Sequence, residues 1–160
     1  MKLEEASLLA SQIVVNIKHF CDKIEVAGSI RRKRPEVNDI DLVAIPQMFM
    51  WTSFEAQLRP WAPKRLKHGN ELQRFLIPLR VNTVELDIYR ATPQTWGTIL
   101  LIRTGSKEHN IKLCSRARAM NMMLSAKDGV IKDGKVVASR TEEEIFRALD
   151  LDFVPPELRI

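Results

Sequence analysis

Two short runs hold the residues best suited to chemistry: Gly28-Ser29-Ile30-Arg31-Arg32 and Asn38-Asp39-Ile40-Asp41-Leu42-Val43. The apolar residues around the two aspartates read as a strand. Successive strand side chains point to opposite faces, so Asp39 and Asp41 share one face. Two adjacent carboxylates repel unless a positive charge sits between them. A divalent metal is the economical answer, and hard oxygen donors suit Mg²⁺. The Gly28-Ser29 backbone and Arg32 are suited to hold phosphates beside that metal. The chemistry this spacing points to is metal-dependent phosphoryl or nucleotidyl transfer.

Other elements must position these groups. Leu3, Ala6, Leu9, Ala10, Ile13, Val14, Ile17 and Phe20 recur at helical spacing, so residues 3–20 are expected to form an amphipathic helix against a sheet. Lys23 to Ala27 reads as a strand ending at Gly28, and Ile40 to Ile45 as a second strand, stopped by Pro46. A short helix over 52–58 is followed by a hairpin: Arg65 to Lys67, a turn at His68-Gly69-Asn70, then Leu72 to Leu79. A strand through Val84, Leu86 and Ile88 puts Glu85 and Asp87 on its other face. Asp87 would then complete a carboxylate cluster from a different strand.

The character changes after Pro93. Residues 94–101 read as helix, and Ser106 is placed to cap a helix running to Met120. Residues 103–118 carry Arg103, Lys107, Lys112, Arg116 and Arg118 against one acid, Glu108. Two short strands are expected around 122–125 and 130–131, with Asp128-Gly129 and Asp133-Gly134 as turns. Thr141-Glu142-Glu143-Glu144 is a capping pattern for a helix to Leu149. The expected layout is two abutting lobes, 1–93 and 94–160.

Composition narrows the partners. The chain has 160 residues, 45% hydrophobic, with a net charge of +5. That supports a folded core and favours a polyanionic partner. Cys21 and Cys114 form neither a disulfide framework nor a zinc spacing, and read as free thiols in a reducing compartment. No signal segment opens the chain and no apolar run is long enough to span a bilayer. The expectation is a monomer in the cytoplasm or nucleoid, or in the host cytoplasm for a viral protein, neither secreted nor in a membrane.

Taken together and in order, these segments resemble the family X DNA polymerases of the polymerase-beta-like nucleotidyltransferase superfamily. The likeness is carried by Gly28-Ser29-Ile30-Arg31-Arg32, Asp39-Ile40-Asp41, Leu86-Asp87-Ile88, Thr104-Gly105-Ser106-Lys107-Glu108-His109-Asn110, and the ending from Arg140 to Phe146 with Pro155-Pro156-Glu157-Leu158-Arg159. The resemblance implies an α+β fold: a nucleotidyltransferase palm, its mixed sheet backed by helices, followed by a small α/β thumb. It covers palm and thumb only, without the family's lyase and fingers lobes. The Met1 start and the full thumb lead us to expect a natural minimal enzyme.

The resemblance also implies roles. Asp39, Asp41 and Asp87 would bind two Mg²⁺ ions, with Mn²⁺ as a substitute. Ser29 and Arg32 would contact the triphosphate, joined by the backbone of Gly28, Val37 and Asn38. Ile102, Arg103, Thr104 and Gly105, a turn with a non-proline cis peptide in the family, would lie beside the incoming sugar. Lys107 would contact phosphate, and Asn110 the minor-groove edge of the incoming base. Lys112, Arg116, Arg118 and, in the hairpin, Lys67 are candidates for DNA phosphates. The expected reaction is dNTP addition to a primer–template or gapped DNA, in gap filling or repair. A terminal transferase, a small-molecule or RNA nucleotidyltransferase, and a silent nucleic-acid-binding module are the alternatives.

Four positions depart from the family pattern. Ile102-Arg103 replaces an aromatic pair, so ribonucleotide discrimination is expected to change. Glu85 stands where relatives carry a basic residue, and is expected either to pair with a cation such as Arg31 or to add negative field at the metal. Cys114 occupies the place of an arginine that probes the template.

Overall fold

A computed structural model describes all 160 residues. The first half runs α1 (Leu3–Ile17), β1 (Cys21–Val26), α2 (Gly28–Arg31), β2 (Asp39–Pro46), α3 (Phe54–Leu58), β3 (Lys64–His68), β4 (Leu72–Pro78) and β5 (Thr83–Arg90). The five strands form one sheet in the order β1-β2-β5-β4-β3. β2 and β5 run parallel and the other pairs antiparallel, so the sheet is mixed.

α1 turns Ala6, Ala10, Ile13 and Ile17 inward at helical spacing. Ala10, Ile13 and Ile17 pack with Phe54 and Leu58 of α3 on one face of the sheet, against Ile40, Leu42 and Ala44 of β2, Phe75 and Ile77 of β4, and Leu86 and Ile88 of β5. The alternate residues of β2 face the other way. Val43 and Ile45 there join a second cluster with Ala27, Trp96 and Leu100. Asp39 and Asp41 lie at the start of the same face of β2, where they meet the cleft described below.

The second half comprises α4 (Trp96–Thr104), α5 (Lys107–Ala119), β6 (Met123–Ser125), β7 (Gly129–Lys132), β8 (Lys135–Ala138) and α6 (Glu142–Ala148). Its core is formed by Leu101, Leu113, Ala117, Leu124, Val130, Ala138, Ile145, Phe146 and Leu149. Gly97 lets α4 reach the start of α6; a Cβ there would sit 2.3 Å from the Thr141 carbonyl carbon. Thr141 caps α6 by accepting the Glu144 N–H at 3.1 Å, and Arg140 N–H donates to Glu144 Oε2.

Two sequence expectations need correction. α4 continues to Thr104, three residues past its expected end, because Thr104 is buried and only Gly105, at φ 70°, breaks the helix. The last sheet has three strands rather than two. Asp133 and Gly134 both adopt positive φ, the conformation of a tight hairpin turn, and send the chain back as β8. No helix is long and apolar enough to cross a membrane.

Candidate active site

The parallel pairing of β2 with β5 sets the acidic face. Asp39 stands beside Glu85, and Asp41 beside Asp87. Gly28 closes against this pair: a Cβ on it would lie 2.0 Å from Asp41 Oδ2, and its φ is +57°. Only glycine fits both the conformation and the approach. Burial, with the like charges of Asp39 and Asp87 beside it, raises the Asp41 pKa to about 7 against the opposing pull of Arg103 and Arg32. The carboxylate is therefore short of positive charge.

Asp87 has a different environment. It is 3% exposed. Arg74 donates from Nε to Oδ1 at 2.6 Å and from Nη2 to Oδ2 at 2.7 Å, and Tyr89 donates its hydroxyl to Oδ2 at 2.9 Å. Arg74 also pairs with Glu85 at 3.2 Å. The expected Glu85–Arg31 pair is thus replaced, because the antiparallel register sets Arg74 next to both acids while Arg31 reaches the other lobe.

That reach ties the lobes together. Arg31 donates to Glu142 Oε1 at 2.8 Å and Oε2 at 2.7 Å, and to Thr104 Oγ1 at 2.8 Å. Arg159, fully buried, donates to Glu142 Oε1 at 2.7 Å and to the Val154 carbonyl at 2.9 Å. Burial alone would raise the Glu142 pKa, but the hydrogen bonds from Arg31 and Arg159 outweigh it and hold it low. Arg32 donates to the Thr104 carbonyl.

Between the lobes lies a cleft of about 740 Å³, a size suited to a small ligand. Its first wall carries Gly28, Ser29, Arg32, Asp39 and Asp41; the second carries Ile102, Arg103, Gly105, Lys107 and Asn110. Ile111, Cys114, Ser115 and Arg118 extend the second wall along α5. Ser106 caps α5 by accepting the His109 N–H at 3.1 Å. The cis peptide falls at Gly105–Ser106, one bond beyond the Thr104-Gly105 pair. Asn110 donates Nδ2 to the Ile102 carbonyl at 2.9 Å, while its buried Oδ1 has no partner. The buried hydroxyl of Ser29 and Nε of Arg103 are also without partners. The Arg103 guanidinium lies 4.2 Å over the Tyr89 ring.

Several expected site residues lie elsewhere. The Val37 N–H donates to the Met1 carbonyl at 2.8 Å, so it is not available to a phosphate. Val37 is buried and Asn38 exposed outside the cleft wall. Thr104 is buried behind it. Lys112 is exposed but outside the cleft. Arg116 donates Nε to the Leu149 carbonyl at 2.9 Å and pairs with Asp150 at 3.4 Å, which turns it to the opposite side of α5. Lys67 lines a neighbouring cavity of about 540 Å³ with Arg74, Tyr89 and Arg103. Arg74, Tyr89, Glu142 and Arg159 were not singled out by sequence reading. The cross-strand charge pair Arg74–Asp87 was recoverable from the four-residue turn joining β4 to β5.

The donor set fits a divalent cation in part. Asp39 and Asp41 offer oxygen ligands with uncompensated charge. Asp87 does not yet converge with them, since both its oxygens are engaged, and no three acidic side chains form a ready-made cage.

Residues 99–160 match the family model of the DNA polymerase beta thumb. Over 161 aligned residues, 94% of this chain, the sequence is 27% identical to the DNA polymerase/3′-5′ exonuclease PolX of Bacillus subtilis (strain 168). Both the thumb match and the aligned relative point to DNA polymerases. The chain spans 27% of the length of that relative. Its α+β fold superimposes with a TM-score of 0.85 on the crystal structure of Leishmania infantum polymerase beta in a ternary P/T complex. That match is at 19% identity and covers 100% of this chain and 76% of the other.

Proposed function

We propose that this chain is a DNA-directed DNA polymerase that transfers dNMP from dNTP to a primer 3′-hydroxyl, at short gaps or primer ends such as arise in repair. One observation carries the reading. A single cleft sets the Asp39/Asp41 pair and Ser29–Arg32 on one wall opposite Gly105, Lys107 and Asn110 on the other. Acidic metal ligands, phosphate-binding cations and a base-facing amide are thereby within reach of one nucleotide.

The residues divide the work. The Ser29 hydroxyl and the Arg32 guanidinium bind the β- and γ-phosphates, and Lys107 adds charge from the thumb. Asn110 Nδ2, which spends one N–H on the Ile102 carbonyl, turns its second N–H to the minor-groove acceptor of the base, a contact that tolerates every nucleotide. Arg103 lies beside the sugar. Arg31, through Glu142 and Thr104, fixes the thumb turn over the phosphate site. Mg²⁺ or Mn²⁺ held by Asp39, Asp41 and, once released, Asp87 would acidify the primer 3′-hydroxyl and neutralise the departing pyrophosphate. Lys67 and Arg118 are placed for nucleic-acid phosphates.

Primer extension with and without a template strand, in Mg²⁺ or Mn²⁺, tests this. Templated addition of the complementary dNTP is the expected result. Addition without a template would assign a terminal transferase, and no addition in either metal would reject polymerase activity.

A further inference from the structure

The environment of Asp87 conflicts with its role as a free metal ligand. Arg74 grips both carboxylate oxygens with a fork, the geometry that saturates a carboxylate. Tyr89 occupies a further position on Oδ2. The hold on the other end of Arg74 is looser. Its side chain is 38% exposed, it shares itself with Glu85 at 3.2 Å, and it lines the second cavity beside Lys67 and Arg103. That cavity presents three cations against the one acid Glu71. A phosphodiester is the anion whose oxygens compete with a carboxylate for a guanidinium fork.

We propose that Arg74 gates the third carboxylate: it holds Asp87 in the free protein and turns to a backbone phosphate of a nucleic-acid strand lying in the neighbouring cavity. Asp87 then becomes a metal ligand only when a strand is in place. The exchange leaves no buried charge unpaired, since the cation takes over at Asp87 as the phosphate takes over at Arg74. Tyr89 keeps its hydrogen bond to Oδ2 and preserves the carboxylate's orientation. Divalent-ion affinity and strand binding are therefore coupled, and by linkage each strengthens the other. Lys67 and Arg103 draw the strand in; Arg74 reports its arrival. The inference rests on the polymerase reading.

Mn²⁺ binding, followed by the EPR signal of the free ion, tests it without catalysis. A short primer–template duplex with a dideoxy-terminated primer is the probe, and no nucleotide is added. In the wild-type chain the duplex should raise Mn²⁺ affinity by about tenfold. Arg74→Ala should bind Mn²⁺ at the higher affinity without DNA, and DNA should add little. Asp87→Asn should stay at the low affinity in both conditions. Sulfate in place of DNA should give no gain; a gain from sulfate would overturn the requirement for a strand. Equal Mn²⁺ affinity of wild type and Arg74→Ala without DNA, or a full DNA-dependent gain in Arg74→Ala, would overturn the gate. Should Arg74→Ala melt below the assay temperature, Arg74→Lys takes its place; it keeps the charge and loses the fork. Lys at wild-type values in both conditions would also overturn the gate. Intact primer extension alongside any of these results rejects the gate alone, whereas absent extension rejects the polymerase reading.

Discussion

Asp41 and Asp87 are direct neighbours on the parallel strands β2 and β5, yet only Asp87 has a cation in contact. Asp41 is left half-buried with its pKa near 7, facing two like charges. Such an arrangement costs stability and persists where a ligand repays it. Each prediction below isolates one support of this acidic face or of the lobe facing it.

Gly28 is the closest support. Gly28→Ala puts a methyl group 2.0 Å from Asp41 Oδ2 in a left-handed backbone conformation. The aspartate must move, and a displacement of this size should lower the incorporation rate by about a hundredfold. The melting temperature should fall only modestly, by an amount matching about 1–2 kcal/mol. Single-turnover incorporation and thermal melting on the same sample check both parts.

Arg103, where the resemblance implies an aromatic residue, is stacked on Tyr89 with Nε unpartnered in the cleft wall. A donor at the sugar favours a ribose hydroxyl rather than excluding it. The wild-type chain should therefore discriminate dNTP from NTP by less than about 10³-fold, and Arg103→Phe should widen the ratio. Incorporation of each NTP beside its dNTP measures this. A wild-type ratio above that value, unchanged in the variant, contradicts the assignment.

Glu142 holds two guanidinium groups, one from each lobe, and is 5% exposed. Glu142→Ala would leave Arg159 buried without a counter-charge. The expected loss is about 3 kcal/mol or more, read by urea denaturation. The same variant should raise KM for the nucleotide, because the Arg31–Thr104 contact loses its anchor.

His109 supplies a pH dependence. Burial, with the cations Arg159 and Lys112 nearby, lowers its pKa from 6.5 to about 4 against the opposing effect of Glu142. The folded protein thus keeps it neutral while the unfolded chain takes up a proton below pH 6.5. Stability is unaffected above that value and falls as pH drops from 6.5 towards 4, by at most about 3 kcal/mol. Melting curves across that range should flatten in His109→Phe.

Much of this arrangement was legible in the sequence because it is local. The alternation of Asp39-Ile40-Asp41 set one acidic face, and the periodicity of α1 set the helix that covers the opposite face of the sheet. The Ser106 cap was readable in the same way. What escaped was set by pairing between distant segments. Lys135, Val136 and Val137 of β8 are exposed, so the strand lacks an inward apolar pattern, and only the Asp133-Gly134 turn announces it. Arg74 gains its role only from the β4–β5 register, which sets it beside Asp87. Arg159 and Glu142 lie 17 residues apart, and their pairing depends on burial, with Arg159 over the Phe146 and Phe153 rings. Val37 was offered as a donor from its place beside Asn38, and only the chain path shows its N–H spent on Met1.

The most direct test of the central claim is the rate of templated single-nucleotide incorporation by Asp41→Asn beside the wild type. The variant should lose about 10³-fold or more of the rate in Mg²⁺ while its melting temperature without metal holds or rises, since a buried repulsion has been removed. Incorporation by Asp41→Asn at close to the wild-type rate would contradict the assignment of this cleft as a metal-dependent nucleotidyl-transfer site.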